Sequence, residues 1–211
     1  MNAIAMLSYD TVGSTVTIAS MPTPLGPMHV AALPNGVCAV VFEDRYQSLE
    51  PRLRRMFGPY FSVAFGDPLD VAHRIDAYFG GTLDALHGVP LAVAATPMQR
   101  RVWALVSAQS PGTLVTYAAL ADRLGMPRAQ RAVGVCLATN PVPLLIPCHR
   151  VVAASGSLAS YPGGVLRKRW LLRHEKAVDV DDRTNRRALR ARRALDPRET
   201  VDVVAFPRMA C

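Results

Sequence analysis

Thr116-Tyr117-Ala118-Ala119-Leu120-Ala121-Asp122-Arg123-Leu124-Gly125 opens the stretch that decides the fold, because it reads as one short capped helix followed by a second. Thr116 can cap the first helix, Tyr117 to Leu124, and Gly125 can end it in the left-handed conformation that glycine tolerates. The second helix is expected from about Pro127 to Ala138. Its apolar residues Ala129, Ala132, Val133, Cys136 and Leu137 fall at i, i+3, i+4, i+7 and i+8, the spacing of one buried face. Two short helices joined by a tight glycine-containing turn form a helix-turn-helix, a pattern that a generic helical hairpin shares. The opposite face favours the first alternative. It carries Arg128 and Arg131 with Gly134, Val135 and Ala138, charged at one end and small elsewhere. Small side chains allow close approach to a nucleic-acid groove, and the scarcity of long polar readers predicts docking without sequence preference.

Outward from this pair, Thr96-Pro97-Met98-Gln99 has the form of a capping box with proline at the first helical position, so a further helix starts there with Met98, Val102, Leu105 and Val106 inward. Earlier still the chain reads as strands: Thr15 to Ala19, Met28 to Leu33, a Pro34-Asn35-Gly36 turn, and Val37 to Phe42. Asn-Gly between two apolar runs is a hairpin signal. Helices are expected at about Ser48 to Met56 and Pro68 to Phe79, the latter closed by Gly80-Gly81. The fold class is therefore α+β. An N-terminal domain of sheet plus helices spans 1–95, a mostly helical, winged-helix-like domain spans 96–176, and a basic extension covers 177–211.

With 211 residues, half of them hydrophobic, the chain can bury a real core in one large or two small domains. No apolar run has the length of a membrane span, and Met1-Asn2-Ala3-Ile4-Ala5-Met6 lacks the pattern of a signal peptide, so a cytoplasmic location and no membrane partner are expected. Cys38, Cys136, Cys148 and Cys211 show no metal or disulfide spacing, and His29 and His73 have no spaced partners, so neither a metal nor a cofactor is expected. Charge is divided unevenly. Residues 1–95 hold five arginines against eight acids, whereas residues 96–211 hold nineteen Lys or Arg against eight acids. A positive footprint confined to one part of a chain points to a polyanion partner.

Ile146-Pro147-Cys148-His149-Arg150-Val151-Val152 carries the chemistry. The thiolate is the reactive form of cysteine, and a neighbouring base raises its fraction. Neighbours on an extended strand point to opposite faces, so His149 can serve Cys148 only if the pleat breaks or a water bridges them. Pro147 makes such a break plausible, since it fixes its own φ and removes a ladder donor.

From Thr96 to Glu175 the chain resembles the C-terminal domain of the O6-alkylguanine-DNA alkyltransferases, the methylated-DNA-protein-cysteine methyltransferases. The resemblance is carried by Gln99-Arg100-Arg101-Val102-Trp103, Thr116-Tyr117-Ala118-Ala119-Leu120-Ala121, Arg131-Ala132-Val133-Gly134, the run from Asn140-Pro141 to Val151-Val152, and Tyr161-Pro162-Gly163-Gly164 leading through Arg167-Lys168 to Leu171-Leu172-Arg173-His174-Glu175. It implies a DNA repair protein that flips O6-alkylguanine, and O4-alkylthymine as a further substrate, out of double-stranded DNA and moves the alkyl group irreversibly to its own cysteine. In this resemblance Cys148 is the nucleophile, His149 the base acting through water, Glu175 its orienting partner, Tyr117 the donor to the departing guanine, and Asn140 the brace of the active-site turn. DNA contacts fall to Arg131, which fills the vacated stack, and to Arg128, Thr116, Gly134 and Ala138, with the second helix in the minor groove. Tyr161, Gly163, Gly164, Lys168 and Pro147 line the base pocket, the two glycines as backbone donors and Lys168 as a support of the Tyr161 loop. His174 is the rival imidazole partner of Glu175 and is read as a surface residue.

Ser160 and Pro162 stand where the family varies. Beyond Lys176 the chain departs from it, with six arginines between Arg183 and Arg193 that suit added phosphate contacts. Upstream zinc-binding and transcriptional modules are absent from this sequence, so repair without direct gene regulation is expected, by a monomer for which cooperative assembly on DNA stays open. Two alternatives remain: a Cys-His hydrolase, which would turn over, and a non-catalytic damage binder, against which the presence of Cys148 counts.

Overall fold

β1 (Ile4–Ala5), β2 (Thr15–Met21), β3 (Met28–Leu33), β4 (Gly36–Phe42), β5 (Ser62–Phe65) and β6 (Leu91–Ala92) form one mixed sheet in the spatial order β1-β6-β4-β3-β2-β5. A computed structural model of the chain describes residues 4–5, 14–158 and 161–177. Ser160 and the basic extension beyond residue 177 lie outside the described residues. Antiparallel pairing joins β2 to β3 and β3 to β4, and parallel pairing joins β2 to β5, β4 to β6 and β1 to β6.

Every residue of β3 and β4 is buried, because helices cover both faces of these central strands. Ala31, Leu33, Cys38, Ala39 and Val41 face α1 (Leu49–Phe57), whose Leu49, Leu53 and Phe57 recur at i, i+4 and i+8. The alternate residues Met28, Val30, Ala32, Val37, Val40 and Phe42 belong to a larger core. That core takes Val71, Ile75 and Tyr78 from α2 (Val71–Phe79) and continues into Val102, Trp103 and Val106 of α3 (Pro97–Ser107). The sheet therefore shares one continuous core with the helical part.

The hairpin differs in detail from its sequence signal. Its turn is Pro34-Asn35, and Gly36 is already the first residue of β4. None of the three has a positive φ, so a mirror-image turn is not used, and the register irregularity falls between Ala31 and Ala32 instead. Gly36 is needed for another reason: a Cβ there would lie 2.7 Å from both Ala92 N and Leu91 C of β6. Strands β1, β5 and β6 escaped the sequence patterns because they are two to four residues long and pair with distant segments.

The capping box of α3 forms as expected, with Thr96 Oγ1 accepting from Gln99 N and Gln99 Oε1 accepting from Thr96 N. Buried Trp103, absent from the expected stripe, donates Nε1 to Cys136 O at 2.8 Å. The region before α2 also departs from expectation. Residues 68–70 form a 3-10 turn with Leu69 and Asp70 at positive φ, and the α-helix proper begins at Val71, with the Asp67 carboxylate accepting from Ala72 N.

β7 (Val115–Thr116) leads into α4 (Tyr117–Arg123), where Thr116 Oγ1 accepts from Ala119 N as its cap. Gly125 at φ +72, with Met126 N donating to Ala121 O and Gly125 N to Asp122 O, ends the helix in a Schellman motif. α5 runs from Gln130 to Ala138 and starts later than expected. Ala129 has no side chain to cap it, and Pro127 and Arg128 are taken up in the turn. Its buried face is Val133, Cys136 and Leu137, whereas Ala132 is exposed beside Arg131, a correction to the expected stripe. β8 (Val151–Val152) pairs in parallel with β7, and α6 (Val165–His174) closes the described fold.

Gly36→Ala should destabilise the protein by about 1–3 kcal/mol, the cost of overpacking against backbone that cannot rotate away. Chemical denaturation measures it, and an unchanged midpoint would show that β6 gives way freely.

Candidate active site

The turn from Asn140 to Pro147 is built around one amide side chain. Asn140 Oδ1 accepts from Val142 N at 3.0 Å, while its Nδ2 donates to Ile146 O at 2.9 Å and to Cys148 Sγ at 3.2 Å. Pro141 O accepts from Val40 N of β4 and from Arg52 Nη1 of α1, so the N-terminal sheet holds the outside of the same turn. Pro147 follows this turn directly, and Cys148-His149-Arg150 forms a 3-10 turn before β8. The backbone at Pro147 and Cys148 is not extended, so strand alternation does not apply to the pair. Both Cys148 and His149 are buried.

Glu175 ends α6 and is 2% exposed. Its Oε1 accepts from His149 Nε2 at 2.9 Å, Arg150 Nη2 at 2.7 Å and Tyr78 Oη at 2.8 Å. Its Oε2 accepts from Arg150 Nε at 2.9 Å and Gly112 N at 3.3 Å. Burial raises the pKa of this carboxyl, but the bonds and charges of His149 and Arg150 outweigh burial and hold it well below the usual carboxylate range. An ionised carboxylate only accepts, so His149 Nε2 carries a hydrogen and, in the neutral ring, Nδ1 carries the lone pair. That Nδ1 is buried and has no hydrogen-bond partner. Burial, opposed by Glu175, also lowers the His149 pKa, which keeps the ring neutral and basic at Nδ1.

Burial pushes the Cys148 thiol up to about 11, against the smaller opposing pull of the Asn140 bond and the Lys168 charge. Lys168, from α6, is fully buried and donates Nζ to Val151 O at 2.6 Å. Its own pKa is brought down to about 8 by burial, and its placement rules out a phosphate contact. Tyr161 packs edge-on to His149 with ring centroids 6.2 Å apart, and its buried hydroxyl has no partner. The pairing of β7 with β8 brings half-buried Tyr117 to the same end of the fold. A Cβ at Gly134 would lie 3.9 Å from the Tyr117 ring, so half-buried Gly134 borders Tyr117. The outer surface of α5 carries exposed Arg131, Ala132, Val135 and Ala138, with exposed Arg128 in the turn before it.

One expected pocket role needs correction. Gly164 N donates to Tyr161 O within its own turn, so it is not a free backbone donor. Gly163 packs closely, since a Cβ there would lie 2.6 Å from both Phe42 Cε2 and Tyr161 Cε1. His174, the rival imidazole, donates to Tyr78 O and stacks on Trp170 away from the relay. Sequence reasoning missed Tyr78, Arg150 and Gly112 as partners of Glu175. Arg150 stood in the quoted motif, but nothing local links Tyr78 to a carboxylate 97 residues away. Among the described residues no group of three His, Cys, Asp or Glu is placed to hold a metal.

Residues 97–177 match the family model described as the 6-O-methylguanine DNA methyltransferase, DNA binding domain. The methylated-DNA–protein-cysteine methyltransferase of Shigella flexneri is 36% identical over 162 residues, which cover 72% of this chain and 91% of that protein. The chain belongs to the methylated-DNA–protein-cysteine methyltransferase family. The crystal structure of the Mycobacterium tuberculosis O6-methylguanine methyltransferase aligns with a TM-score of 0.65 and 32% identity, covering 80% of this chain and 98% of that one. A structure of the M. tuberculosis protein in complex with DNA aligns with the same TM-score at 30% identity, covering 81% and 99%. These methyltransferases extend through the N-terminal sheet as well, so membership does not rest on the helical part alone.

Two measurements test the electrostatics of this methyltransferase site. Without DNA, alkylation of Cys148 by iodoacetamide should keep climbing as pH rises toward the thiol value of about 11. A plateau near the ordinary cysteine value of about 8.5 would show a far less buried thiol. Glu175→Gln, which leaves Arg150 without its buried counter-charge, should cost about 3–5 kcal/mol of stability. The carboxylate's contribution is fully present above about pH 4.3 and fades as pH falls toward the depressed folded value. Denaturation as a function of pH checks both; a loss under about 1 kcal/mol is the signature of an exposed pair and would contradict the burial.

Proposed function

We propose that the protein repairs alkylated DNA by direct reversal, moving the alkyl group of O6-alkylguanine, and of O4-alkylthymine, to Cys148 in a single irreversible turnover. The observation that carries this is a buried thiol beside a neutral imidazole whose basic nitrogen is unpartnered, in a chain of this family. Residues 96–176 act as the DNA-binding and alkyl-transfer domain, residues 1–95 brace it from behind, and the extension beyond adds positive charge.

The partner is double-stranded DNA, a reading supported by the structure of the M. tuberculosis relative in complex with DNA. α4 and α5 act as the helix-turn-helix. The exposed face of α5 carries Arg131 with Ala132, Val135 and Ala138, and Gln130 Nε2 is turned back to Pro127 O, which suits close approach to a groove with few base-edge readers. An enzyme acting on a base must take it out of the stack, at a cost of a few kcal/mol, and exposed Arg131 is free to fill the gap. With Arg128, Thr116, Gly134 and Ala138 it forms the DNA contact set. A repair protein works where the damaged DNA is, so we infer a cytoplasmic, nucleoid-associated location; separately, no described helix is long and apolar enough to cross a membrane.

In the pocket, Cys148 Sγ forms a bond to the alkyl carbon as the bond from that carbon to the guanine oxygen breaks. His149 Nδ1 takes the thiol proton through a bridging water, with Glu175 stabilising the imidazolium that results. Tyr117 donates to the departing base. In net balance the proton lost by sulfur is the one the guanine gains. The product thioether has no competent leaving group, so the protein is consumed. Burial holds the resting thiol protonated, so little thiolate stands free before a base arrives.

Duplex carrying labelled O6-methylguanine should transfer one equivalent of label, found on Cys148 by peptide mass mapping. Cys148→Ala should bind the duplex and transfer nothing. Label on Cys136, or repeated turnover as in a Cys-His hydrolase, would sink this function. Arg131→Ala should slow repair of duplex by about two orders of magnitude, the rate equivalent of a few kcal/mol of lost flipping energy, while sparing reaction with a free alkylguanine base. Equal losses on both substrates would place Arg131 in the fold or the pocket instead.

A further inference from the structure

Arg167, near the start of α6, is outside the relay, yet its guanidinium is engaged on every side. Nε donates to Leu25 O at 3.0 Å, and Nη1 donates to Gly163 O at 3.0 Å and to Asp44 Oδ2 at 3.1 Å. Nη2 lies 3.0 Å from Asp44 Oδ1, and the guanidinium carbon sits 4.2 Å from the centre of the Phe42 ring. Leu25, Phe42 and Asp44 come from the N-terminal sheet and its loops, whereas Gly163 belongs to the turn that carries Tyr161. The same Phe42 ring that takes Arg167 on its face takes the Gly163 backbone at its edge, so tightly that no Cβ fits between Phe42 and Tyr161. Gly164 N closes the turn on Tyr161 O.

We propose that Arg167 is a positioning residue that sets the width of the alkylguanine pocket: by clamping the Tyr161–Gly164 turn to the N-terminal sheet it fixes the Tyr161 wall relative to Cys148, and with it the size of alkyl group accepted. This rests on the alkyl-transfer function proposed above. The ion pair with Asp44 is not the main tie, because the carboxylate is 56% exposed and such pairs contribute little. The planar fork to two carbonyls and the stacking on Phe42 are what a guanidinium provides and an ammonium does not. On the neighbouring position Lys168 reaches Val151 O behind the thiol, so the first turn of α6 ties the wall to the N-terminal sheet on one side and to the active-site strand on the other. A phosphate role for Arg167 is disfavoured, since its donors are already spent inside the protein.

The test compares duplexes carrying O6-methylguanine and O6-benzylguanine, with the rate of each transfer to Cys148 measured for the full chain. Arg167→Met keeps the apolar stem and removes the fork. It should raise the benzyl-to-methyl rate ratio by about ten-fold or more, the sensitivity of a site whose wall is released by roughly an ångström. Transfer of the methyl group should stay near the wild-type rate, because Cys148, His149 and Glu175 are untouched. Arg167→Lys should behave like Arg167→Met, and Asp44→Asn, which loses only the exposed pair, should keep the wild-type ratio. An unmoved ratio in Arg167→Met, whatever its melting temperature, would overturn the role of Arg167. So would full rescue by lysine or a shifted ratio in Asp44→Asn. A wild-type protein that transfers no alkyl group to Cys148 would overturn the alkyl-transfer function itself.

Discussion

A buried carboxylate on Glu175 is the constraint on which the rest of the site depends. An ionised group removed from water needs nearly all of its lone pairs filled, or it takes up a proton and ceases to be a charge. Here five hydrogen bonds reach it from four residues that are remote in sequence. Arg150 supplies a fork and a full counter-charge. Gly112 can bring its backbone there only as glycine, with φ at +76 and no room for a Cβ against Glu175 O. Tyr78 reaches in from α2, which makes the N-terminal part a direct member of the relay rather than a detached neighbour. Lys176 accepts a positive φ to turn the chain just after the carboxylate, so even the helix end is shaped by where Glu175 must sit.

From that placement the tautomer of His149 follows, and from the tautomer the resting state of the thiol. A charged acceptor at Nε2 leaves Nδ1 as the base. The same burial that organises these groups opposes ionisation of Cys148 and protonation of His149, so the pair rests neutral. For a protein consumed by one alkylation this is a useful bias. The thiolate is the species that electrophiles consume, and a thiol pushed up to about 11 keeps that fraction small at neutral pH. Lys168 contributes to the same balance, since its charge favours the thiolate while its own burial favours giving that charge up.

Local signals were legible wherever the physics is local. The capping box at Thr96, the Thr116 cap, the glycine ending α4 and the departure from strand geometry at Pro147 were all visible in short spans, because each is set within a few residues. The start of α5 was misjudged because its cap position is Ala129, which offers no side-chain acceptor to mark it. Ala132 reads as part of the apolar stripe but is small enough to sit exposed at its margin. Gly36, Gly163 and Gly134 show the limit most clearly. Each glycine was noticed, yet what it faces is a strand 55 residues away, a phenylalanine from the other part of the chain, or the ring of Tyr117, and spacing cannot reveal such neighbours. Tyr78 and Arg167 were hidden for the same reason, since both act across the seam between sheet and helices.

Strain near the thiol supports the same view of a site held from several sides. Leu144 is buried at φ +81, a conformation that costs a non-glycine residue about 1–3 kcal/mol and persists only where its surroundings over-determine it. The over-determination is identifiable. Asn140 closes the turn on both sides of Leu144 through Val142 N and Ile146 O, while Val40 and Arg52 grip Pro141 from the sheet. The same Asn140 amide donates to Cys148 Sγ, so the group that enforces the strained turn also sets the direction of the sulfur lone pairs. Turn geometry and nucleophile orientation are thus one degree of freedom, not two, and the N-terminal sheet, by holding Pro141, fixes both.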